Sequence, residues 1–340
     1  MDGPLWTERH PPALADLPQA EVRDRLERAR TEPMNLVLHG PSGAGKTAAA
    51  RALAREAHDD PETDLFEVNV ADFFDRTKTE IREDPRFSPF LTGRSRMAKR
   101  DIINYVLKEI AGYAPVSGTY KTVLLDNAEA IREDFQQALR RVMERHHRTT
   151  QFVIATRQPS KLIPPIRSRC FPVPVRAPTA DETIAALRRV CEAEGVAYDE
   201  DGLEFVAGYA GGDLRGAVLG AQAAAADADA VTMNAAHAAL GSVGRDDELG
   251  SVLVDARAGE FDAATSTVED LLEDGFDGQE LLRALLRVAR TEYGADDLAR
   301  LHVLAGRVDL DLATGTDDAL HLAHLLAEWG APGPTTEAGA

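Results

Sequence analysis

The octapeptide GPSGAGKT (40–47) decides the fold of this 340-residue chain. It matches the phosphate-binding pattern G-x-x-x-x-G-K-[ST], follows the apolar run NLVLH (35–39), and opens the helical pattern KTAAARALAREAH (46–58). The motif requires this strand–loop–helix context, because loop N–H groups and the helix N-terminus together attract phosphates. We predict an ATP site in which Lys46 reaches the β- and γ-phosphates and Thr47 ligates Mg²⁺. The predicted nucleotide-binding residues of the loop are Gly40, Pro41, Ser42, Gly43, Ala44, Gly45, Lys46 and Thr47.

Short apolar runs alternate with helical patterns around this loop. Four of these runs are predicted as buried parallel strands. A weaker fifth run, CFPVPV (170–175), contains two prolines, which confine it to a sheet edge or a strand end. The alternation predicts an α/β fold with a doubly wound parallel sheet over residues 30–176. The four runs are NLVLH (35–39), DLFEVN (64–69), TVLLD (122–126) and QFVIAT (151–156).

Beyond Pro178 the strand signals stop, and the chain is predicted to be helical. A Thr-x-x-Glu capping box, Thr179 to Glu182, opens the first of these helices. The polar, weakly patterned segment 73–100 is predicted to be a mobile insertion with a basic end. The predicted divisions are a P-loop domain (1–176), a small helical domain (177–241), a second helical domain (242–330) and a flexible tail (331–340).

The net charge of −19 is distributed unevenly. Residues 201–340 hold 26 acidic residues and eight arginines, whereas residues 85–170 hold 16 basic and seven acidic residues. Because Lys and Arg neutralise phosphates, the basic segment keeps DNA binding open despite the acidic total. The chain has only six lysines, a composition typical of halophiles that accumulate salt, where salt screens acidic repulsion. A solvated acidic domain in an ordinary cell is the alternative.

Three features of the sequence predict a cytoplasmic location. No apolar run approaches the roughly 20 residues that a membrane span needs. The N-terminal stretch MDGPLWTERH lacks the basic and apolar regions of a signal peptide. The two cysteines, Cys170 and Cys191, fit a reducing compartment and exclude a disulfide scaffold.

A second Mg²⁺ ligand is expected from Asp126, which follows the apolar run of the strand TVLLD (122–126). In many P-loop ATPases a glutamate follows this aspartate and polarises the attacking water. Here the next residue is Asn127, whose amide orients water but cannot accept its proton at neutral pH. Glu129, two residues further on, is the remaining carboxylate for a shifted role.

Several further motifs, in the correct order, make the chain resemble the small subunits of replication factor C, the AAA+ clamp loader of archaea and eukaryotes. The resemblance runs from Trp6 to about residue 241 and is weak beyond it. Ser168-Arg169-Cys170 and the unaltered helix ALRRVME speak against other AAA+ machines. The motifs are WTERHPP (6–12), NVAD (69–72), DNAE (126–129), ALRRVME (138–144), KLIPPIRSRC (161–170) and GDLR (212–215).

The resemblance implies an AAA+ P-loop domain, a helical lid and a helical collar that joins subunits in a ring-like pentamer. It implies that Arg169 is an arginine finger for the neighbouring subunit's ATP and that Arg215 contacts the γ-phosphate of this subunit's own nucleotide. The implied cofactors are ATP and Mg²⁺, and the implied partners are the large and other small replication factor C subunits, the sliding clamp and primer–template DNA. The implied DNA-binding residues are Arg100, Lys108, Arg140, Arg141 and Arg145.

Three departures from the family pattern fall at the catalytic site. Pro11 stands where the family has an arginine, Asn127 where it has the glutamate, and Arg157 where it has a polar asparagine. We therefore predict a subunit that binds ATP, hydrolyses it weakly and donates Arg169 to a neighbour. Another AAA+ ATPase, such as a DNA helicase motor, and a non-hydrolysing regulatory subunit are the alternatives. The predicted catalytic set is Asp126, Asn127, Arg157, Arg169 and Arg215.

Overall fold

A computed structural model describes residues 5–331 except 85–86, 92–96, 117, 242–245, 274–276 and 316. The chain forms two compact units, Met1–Leu240 and Gly241–Ala340. No helix in the described ranges is long and apolar enough to cross a membrane. The predicted flexible tail lies outside the described residues from 332 onward.

A five-stranded parallel sheet forms the centre of the first unit, with the strand order β2-β3-β4-β1-β5. The predicted α/β class is therefore confirmed, and all five apolar runs are strands. The proline-containing run is β5, which lies at the sheet edge as its two prolines require. The strands are β1 Leu36–His39, β2 Leu65–Asn69, β3 Lys121–Asp126, β4 Thr150–Thr156 and β5 Phe171–Pro174.

Successive side chains of the central strands point to opposite faces of the sheet, so they enter two separate cores. Leu36 and Leu38 of β1 pack with the helices α2 (Ala20–Thr31) and α3 (Lys46–Ala57). Val37, between them, joins the core on the other face. The remaining helices that precede residue 242 are α1 Trp6–Arg9, α4 Pro61–Asp64, α5 Val70–Asp75, α6 Lys78–Glu83, α7 Ser88–Leu91, α8 Lys99–Gly112, α9 Glu133–His146, α10 Pro164–Arg167, α11 Ala180–Glu194, α12 Glu200–Ala210, α13 Leu214–Ala228 and α14 Met233–Gly241.

The segment 73–100 differs from its prediction as a mobile insertion. Its described part forms α6 and α7 and joins the helices on either side, and it buries the side chains of Phe73, Phe74, Ile81 and Phe87 in the core. The ring centroids of Phe73 and Phe87 lie 4.8 Å apart. Widely spaced aromatic residues anchor these short helices, and no continuous hydrophobic period reveals them in the sequence. Residues 92–96, within its predicted basic end, lie outside the described residues.

The part of the first unit that follows Pro178 is helical, as predicted, with one exception. Two-residue strands, β6 (Ala197–Tyr198) and β7 (Ala230–Val231), pair in parallel between the helices. The predicted capping box is confirmed: the Glu182 N–H donates to Thr179 Oγ1 over 3.2 Å, and the Thr179 N–H donates to Glu182 Oε2 over 2.8 Å. Trp6 from the chain's start is buried in the core of these helices.

The second unit consists of helices around one apolar core. Trp329 is fully buried there, and its indole Nε1–H donates to the carbonyl oxygen of Leu253 over 3.1 Å. A break before α16 occurs at Gly259, whose φ of +84° is left-handed. The helices are α15 Asp246–Ala258, α16 Phe261–Glu273, α17 Gly278–Glu292, α18 Ala295–Thr314 and α19 Asp318–Gly330.

Salt is expected to stabilise the second unit strongly. Residues 241–340 carry 21 acidic residues and seven arginines, so the charges of this unit repel one another at low ionic strength. Raising KCl from about 0.1 M to about 1 M shortens the Debye length from about 10 Å to about 3 Å. We expect the thermal unfolding midpoint of the full chain, measured by circular dichroism, to rise across this range. A midpoint that stays constant or falls would contradict the halophilic interpretation of the composition.

Candidate nucleotide-binding site

The loop 40–47 joins the carboxyl end of β1 to the N-terminus of α3. Gly43 and Gly45 have φ values of +68° and +93°, a left-handed region that glycine enters without strain. The N–H of Gly40 donates to the carbonyl oxygen of Thr156 over 3.4 Å and thereby ties the loop to the end of β4. The loop therefore turns tightly at the carboxyl edge of the sheet, where a parallel α/β fold binds its ligands.

Lys46 and Thr47 lie in the first turn of α3, and Asp126 ends β3 beside them. Thr47 Oγ1 donates to Asp126 Oδ2 over 2.8 Å, so the two predicted Mg²⁺ ligands are already together. Burial raises the pKa of Asp126, and the Thr47 hydrogen bond opposes that shift. Lys46 Nζ donates to the carbonyl oxygen of Gly40 over 3.0 Å, and burial lowers its pKa although Asp126 and Glu129 oppose this. A hydroxyl and a carboxylate are the hard oxygen donors that Mg²⁺ prefers, so these residues fit the ion.

Asn127 follows Asp126 in a left-handed conformation with φ +52° and ψ +43°. Asn tolerates this region better than most residues. Its side chain is exposed, and its Nδ2–H donates to Asn69 Oδ1 over 3.1 Å. The position predicted for the general base therefore holds the amide of Asn127, which is hydrogen-bonded to the amide of Asn69. It lies at the carboxyl edge of the sheet, where the attacking water would approach.

Glu129 is held by the end of β4 and by the residue that follows it. Its carboxylate accepts hydrogen bonds from Thr156 Oγ1 (3.1 Å), the Arg157 N–H (3.1 Å) and Arg157 Nε–H (2.6 Å). Burial would raise the pKa of Glu129, but these hydrogen bonds outweigh burial and lower it. A carboxylate stabilised in this way is a poor general base, so the arrangement disfavours the shifted role for Glu129. Arg157 is correspondingly engaged with Glu129.

The N-terminus of α13 docks on the phosphate-binding loop. The Leu214 N–H donates to the carbonyl oxygen of Gly43 over 3.1 Å. A Cβ added at Gly43 would lie 2.0 Å from Asp213 Oδ1, so any other residue there would displace the Asp213 side chain. Arg215 lies exposed in the first turn of α13, next to the residue that makes the contact. The sequence motif GDLR thus lies at the nucleotide loop, although sequence separation hides the contact.

Replacing Gly43 with alanine is expected to weaken nucleotide binding at least tenfold. The added methyl group meets the Asp213 carboxylate, so this side chain must leave its cap on α13 or the loop must shift, and the positive φ strains any residue other than glycine. Fluorescence titration with a nucleotide analogue measures the effect. Gly208→Ala is the matched control, because a Cβ there meets no atom within 4 Å. Unchanged affinity in Gly43→Ala would show that docking of α13 does not support the nucleotide site.

Arg169 lies just after α10, at a distance in sequence from the loop. Its Nη2–H donates to Glu144 Oε1 over 2.6 Å, and its Nη1–H donates to the carbonyl oxygen of Pro165 over 2.8 Å. The side chain is still 37% exposed. Nothing in this arrangement brings Arg169 to the chain's own phosphate loop, so it stays available to another molecule.

Comparison with known proteins assigns these features to one family. Residues 36–175 match the model of the ATPase family associated with various cellular activities (AAA), and residues 245–328 match the replication factor C C-terminal domain. The replication factor C small subunit of Halobacterium salinarum is 30% identical over 95% of each chain. The protein of the same name from Archaeoglobus fulgidus is 31% identical over 95% of this chain and 96% of its own.

The chain belongs to the replication factor C small subunit family. The match covers both units, including the part beyond residue 241 where the sequence resemblance was weak. A solved structure, the Thermotoga maritima RuvB Holliday junction branch migration motor, has a TM-score of 0.51 at 16% identity and covers 74% of this chain and 82% of its own. At that identity the likeness shows the shared AAA+ fold alone.

The residues that the replication factor C resemblance predicts as DNA-binding lie on α8 and α9. Lys108 and Arg145 are exposed and line a shallow cavity of about 450 Å³ together with Tyr113 and His146. Arg141 lines a second cavity of about 530 Å³ on the same two helices. Arg140 is half-buried, and its Nε lies 3.4 Å from Glu144 Oε1. The side chain of Arg100 lies outside the described residues.

Sequence reasoning named most of the residues of this site but missed the contacts between them. Asp213 and Gly43 meet across 170 positions, Thr156 and Arg157 bind Glu129, and Glu144 binds Arg169. The sequence identified Asn69 only as part of the motif NVAD and did not predict its hydrogen bond with Asn127. These contacts depend on which strand ends are neighbours in the sheet, and that order is not written in any single segment.

Proposed function

We propose that this chain is an ATP-binding small subunit of the replication factor C clamp loader, which places a ring-shaped sliding clamp on primer–template DNA. The observation that carries the proposal is the contact between Thr47 and Asp126 beside the glycine loop, in a chain of this family. This pair and the loop form the phosphate and metal site of a P-loop ATPase.

Within the proposed site each side chain has one task. Lys46 binds the β- and γ-phosphates as a point charge, and the loop N–H groups cradle them. Thr47 and Asp126 would hold Mg²⁺, which neutralises phosphate charge when bound. Arg215, at the start of α13, contacts the γ-phosphate from the lid side, so nucleotide and lid position are coupled through the Gly43 contact.

Hydrolysis in this subunit's own site is proposed to be weak. Asn127 cannot accept a proton, and Glu129 is held by Arg157 and Thr156. The absent general base alone costs about two to four orders of magnitude in rate. Arg169 is instead donated to the ATP site of a neighbouring subunit, where its charge stabilises the transition state.

The chain is proposed to divide its work among its parts. Residues 1–176 bind ATP and DNA, and residues 177–241 form the lid. Residues 242–330 form a collar that joins this chain to the large and other small subunits. We infer that the assembled complex is a pentamer. The basic segment 85–170 belongs to the first part, and most of the acidic excess belongs to the other two. The exposed basic residues of that segment on α8 and α9 are proposed to contact DNA.

Nucleotide affinity of the purified chain gives the first test of this proposal. We expect Mg²⁺-dependent ATP binding that Lys46→Ala weakens by about two orders of magnitude and Thr47→Val makes independent of Mg²⁺. Lys78→Ala removes the same charge outside the loop and serves as the control. ATP affinity that does not respond to Lys46→Ala would contradict the site. Failure of the assembled complex to load the clamp on primed DNA would contradict the clamp loader role.

A further inference from the structure

Glu144, in the last turn of α9, joins two arginines that the proposed function places in different roles. Its Oε1 accepts a 2.6 Å hydrogen bond from Nη2–H of Arg169, the proposed arginine finger. The same oxygen lies 3.4 Å from Nε of Arg140, which is one of the residues predicted to face DNA. One carboxylate oxygen thus contacts both guanidinium groups.

The finger is held from two sides and still has donors to spare. Arg169 Nη1–H donates to the Pro165 carbonyl oxygen over 2.8 Å, so Glu144 and Pro165 fix both terminal nitrogens. Arg169 Nη1–H also donates to Ser168 Oγ over 3.4 Å. A guanidinium group has five N–H donors, so two remain for a phosphate of another molecule. Holding the group in place before the neighbour's nucleotide arrives removes an ordering cost from the reaction.

The contact between Glu144 and Arg140 is weaker than the contact with Arg169. It is longer, and Arg140 Nε has no hydrogen-bond partner among the described residues. It also places the arginine four residues before the acid, the less favourable order on a helix. Arg140 Nε is buried, but the side chain is 37% exposed, so a DNA phosphate that binds the terminal nitrogens can draw Arg140 away from Glu144, because a charge-assisted hydrogen bond is stronger than this contact.

We propose that Glu144 is a positioning residue for Arg169 and that it couples the finger to DNA binding. When DNA takes Arg140, the Glu144 carboxylate is left to Arg169 alone and holds the finger more firmly. This proposal rests on the proposed function of Arg169 and on DNA binding by α9. Exposed ion pairs contribute little to stability, so substitution of Glu144 is expected to leave folding intact.

The test uses the assembled loader that contains this chain, with ATP turnover measured with and without clamp and primed DNA. We expect Glu144→Gln to lower DNA-stimulated turnover between about tenfold and a hundredfold, the range of a mispositioned catalytic group. The ratio of stimulated to basal turnover should fall, ATP affinity should be unchanged, and Glu144→Asp should restore part of the loss. Combining Glu144→Gln with Arg169→Ala should lower turnover no further than Arg169→Ala alone.

Two variants separate failure of this proposal from failure of the proposed function. Glu133→Gln makes the same charge change at the exposed start of α9 and should behave as the wild type. Wild-type turnover in Glu144→Gln, together with a loss in Arg169→Ala, overturns the positioning role alone. No loss in Arg169→Ala overturns the finger assignment and this proposal with it.

Discussion

Replacing Arg169 with alanine is expected to lower ATP turnover at the neighbouring subunit's site by about 10³- to 10⁵-fold, the range typical of arginine fingers supplied in trans. The side chain is exposed, lies away from this chain's own phosphate loop and is held by Glu144 and Pro165. Its removal therefore deletes a positive charge from another molecule's transition state. This chain's own ATP affinity is expected to stay the same.

Steady-state and single-turnover hydrolysis by the assembled loader measure this loss. The matched control is Arg167→Ala, which removes the same charge from an exposed arginine two residues away. Wild-type turnover in the control and loss in Arg169→Ala together locate the effect at one side chain. Equal losses in both variants would indicate a general effect of surface charge and contradict the finger.

Replacing Asn127 with glutamate is expected to raise hydrolysis in this chain's own site by about 10²- to 10⁴-fold, the usual contribution of a general base. The position lies at the end of β3, directly after Asp126, and its side chain is exposed toward solvent. The neighbouring Asn69 amide can donate to a carboxylate as readily as it accepts from the present amide. The left-handed φ of Asn127 is expected to reduce the gain, because glutamate tolerates that conformation less well.

Single-turnover hydrolysis measures this gain. The rate is compared at saturating ATP, and the part that is lost in Lys46→Ala is taken as the turnover of this chain's own site. Asn127→Gln keeps an amide with the size of glutamate and should leave the rate unchanged. Combining Asn127→Glu with Arg157→Asn removes the side-chain hydrogen bond to Glu129 and restores the family residue at position 157, so this double variant should be at least as fast as Asn127→Glu. Rapid hydrolysis by the wild-type site, with no increase in Asn127→Glu, would contradict a weakened active site.

The phosphate site could be predicted from sequence because its residues are local. Lys46 and Thr47 lie in one octapeptide, and Asp126 ends an apolar run that is recognisable as a strand. The two prolines limited β5 to a sheet edge or a strand end, since proline has no N–H to donate to a ladder, and β5 lies at the edge. In each case the physical cause lies within a few residues.

The remaining features depend on tertiary neighbours and could not be predicted in the same way. The helices α6 and α7 are stabilised by aromatic residues such as Phe87 that fit gaps in the core, without a helical period. The pair of Glu129 and Arg157 exists because β3 and β4 are adjacent strands with neighbouring ends. Family resemblance marked Arg157 as a departure but gave no contact between it and Glu129.

The charge distribution connects these parts of the account. The total of −19 argues against DNA binding only when it is treated as uniform. Lys108, Arg141 and Arg145 are exposed on α8 and α9, within the basic segment 85–170. At high salt the gain from counterion release is small, so we expect the proposed DNA contacts at these residues to depend more on hydrogen bonding and shape.

Subunit-resolved labelling tests the central claim most directly. The assembled loader is given a photoreactive azido-ATP that carries ³²P at either the α- or the γ-phosphate, and it is irradiated after one round of DNA-stimulated hydrolysis. We predict that this chain carries both labels, because it binds ATP and hydrolyses it slowly, while the other active small subunits keep only the α-label. Absence of the α-label from this chain, or loss of its γ-label as fast as in the other subunits, would contradict the account.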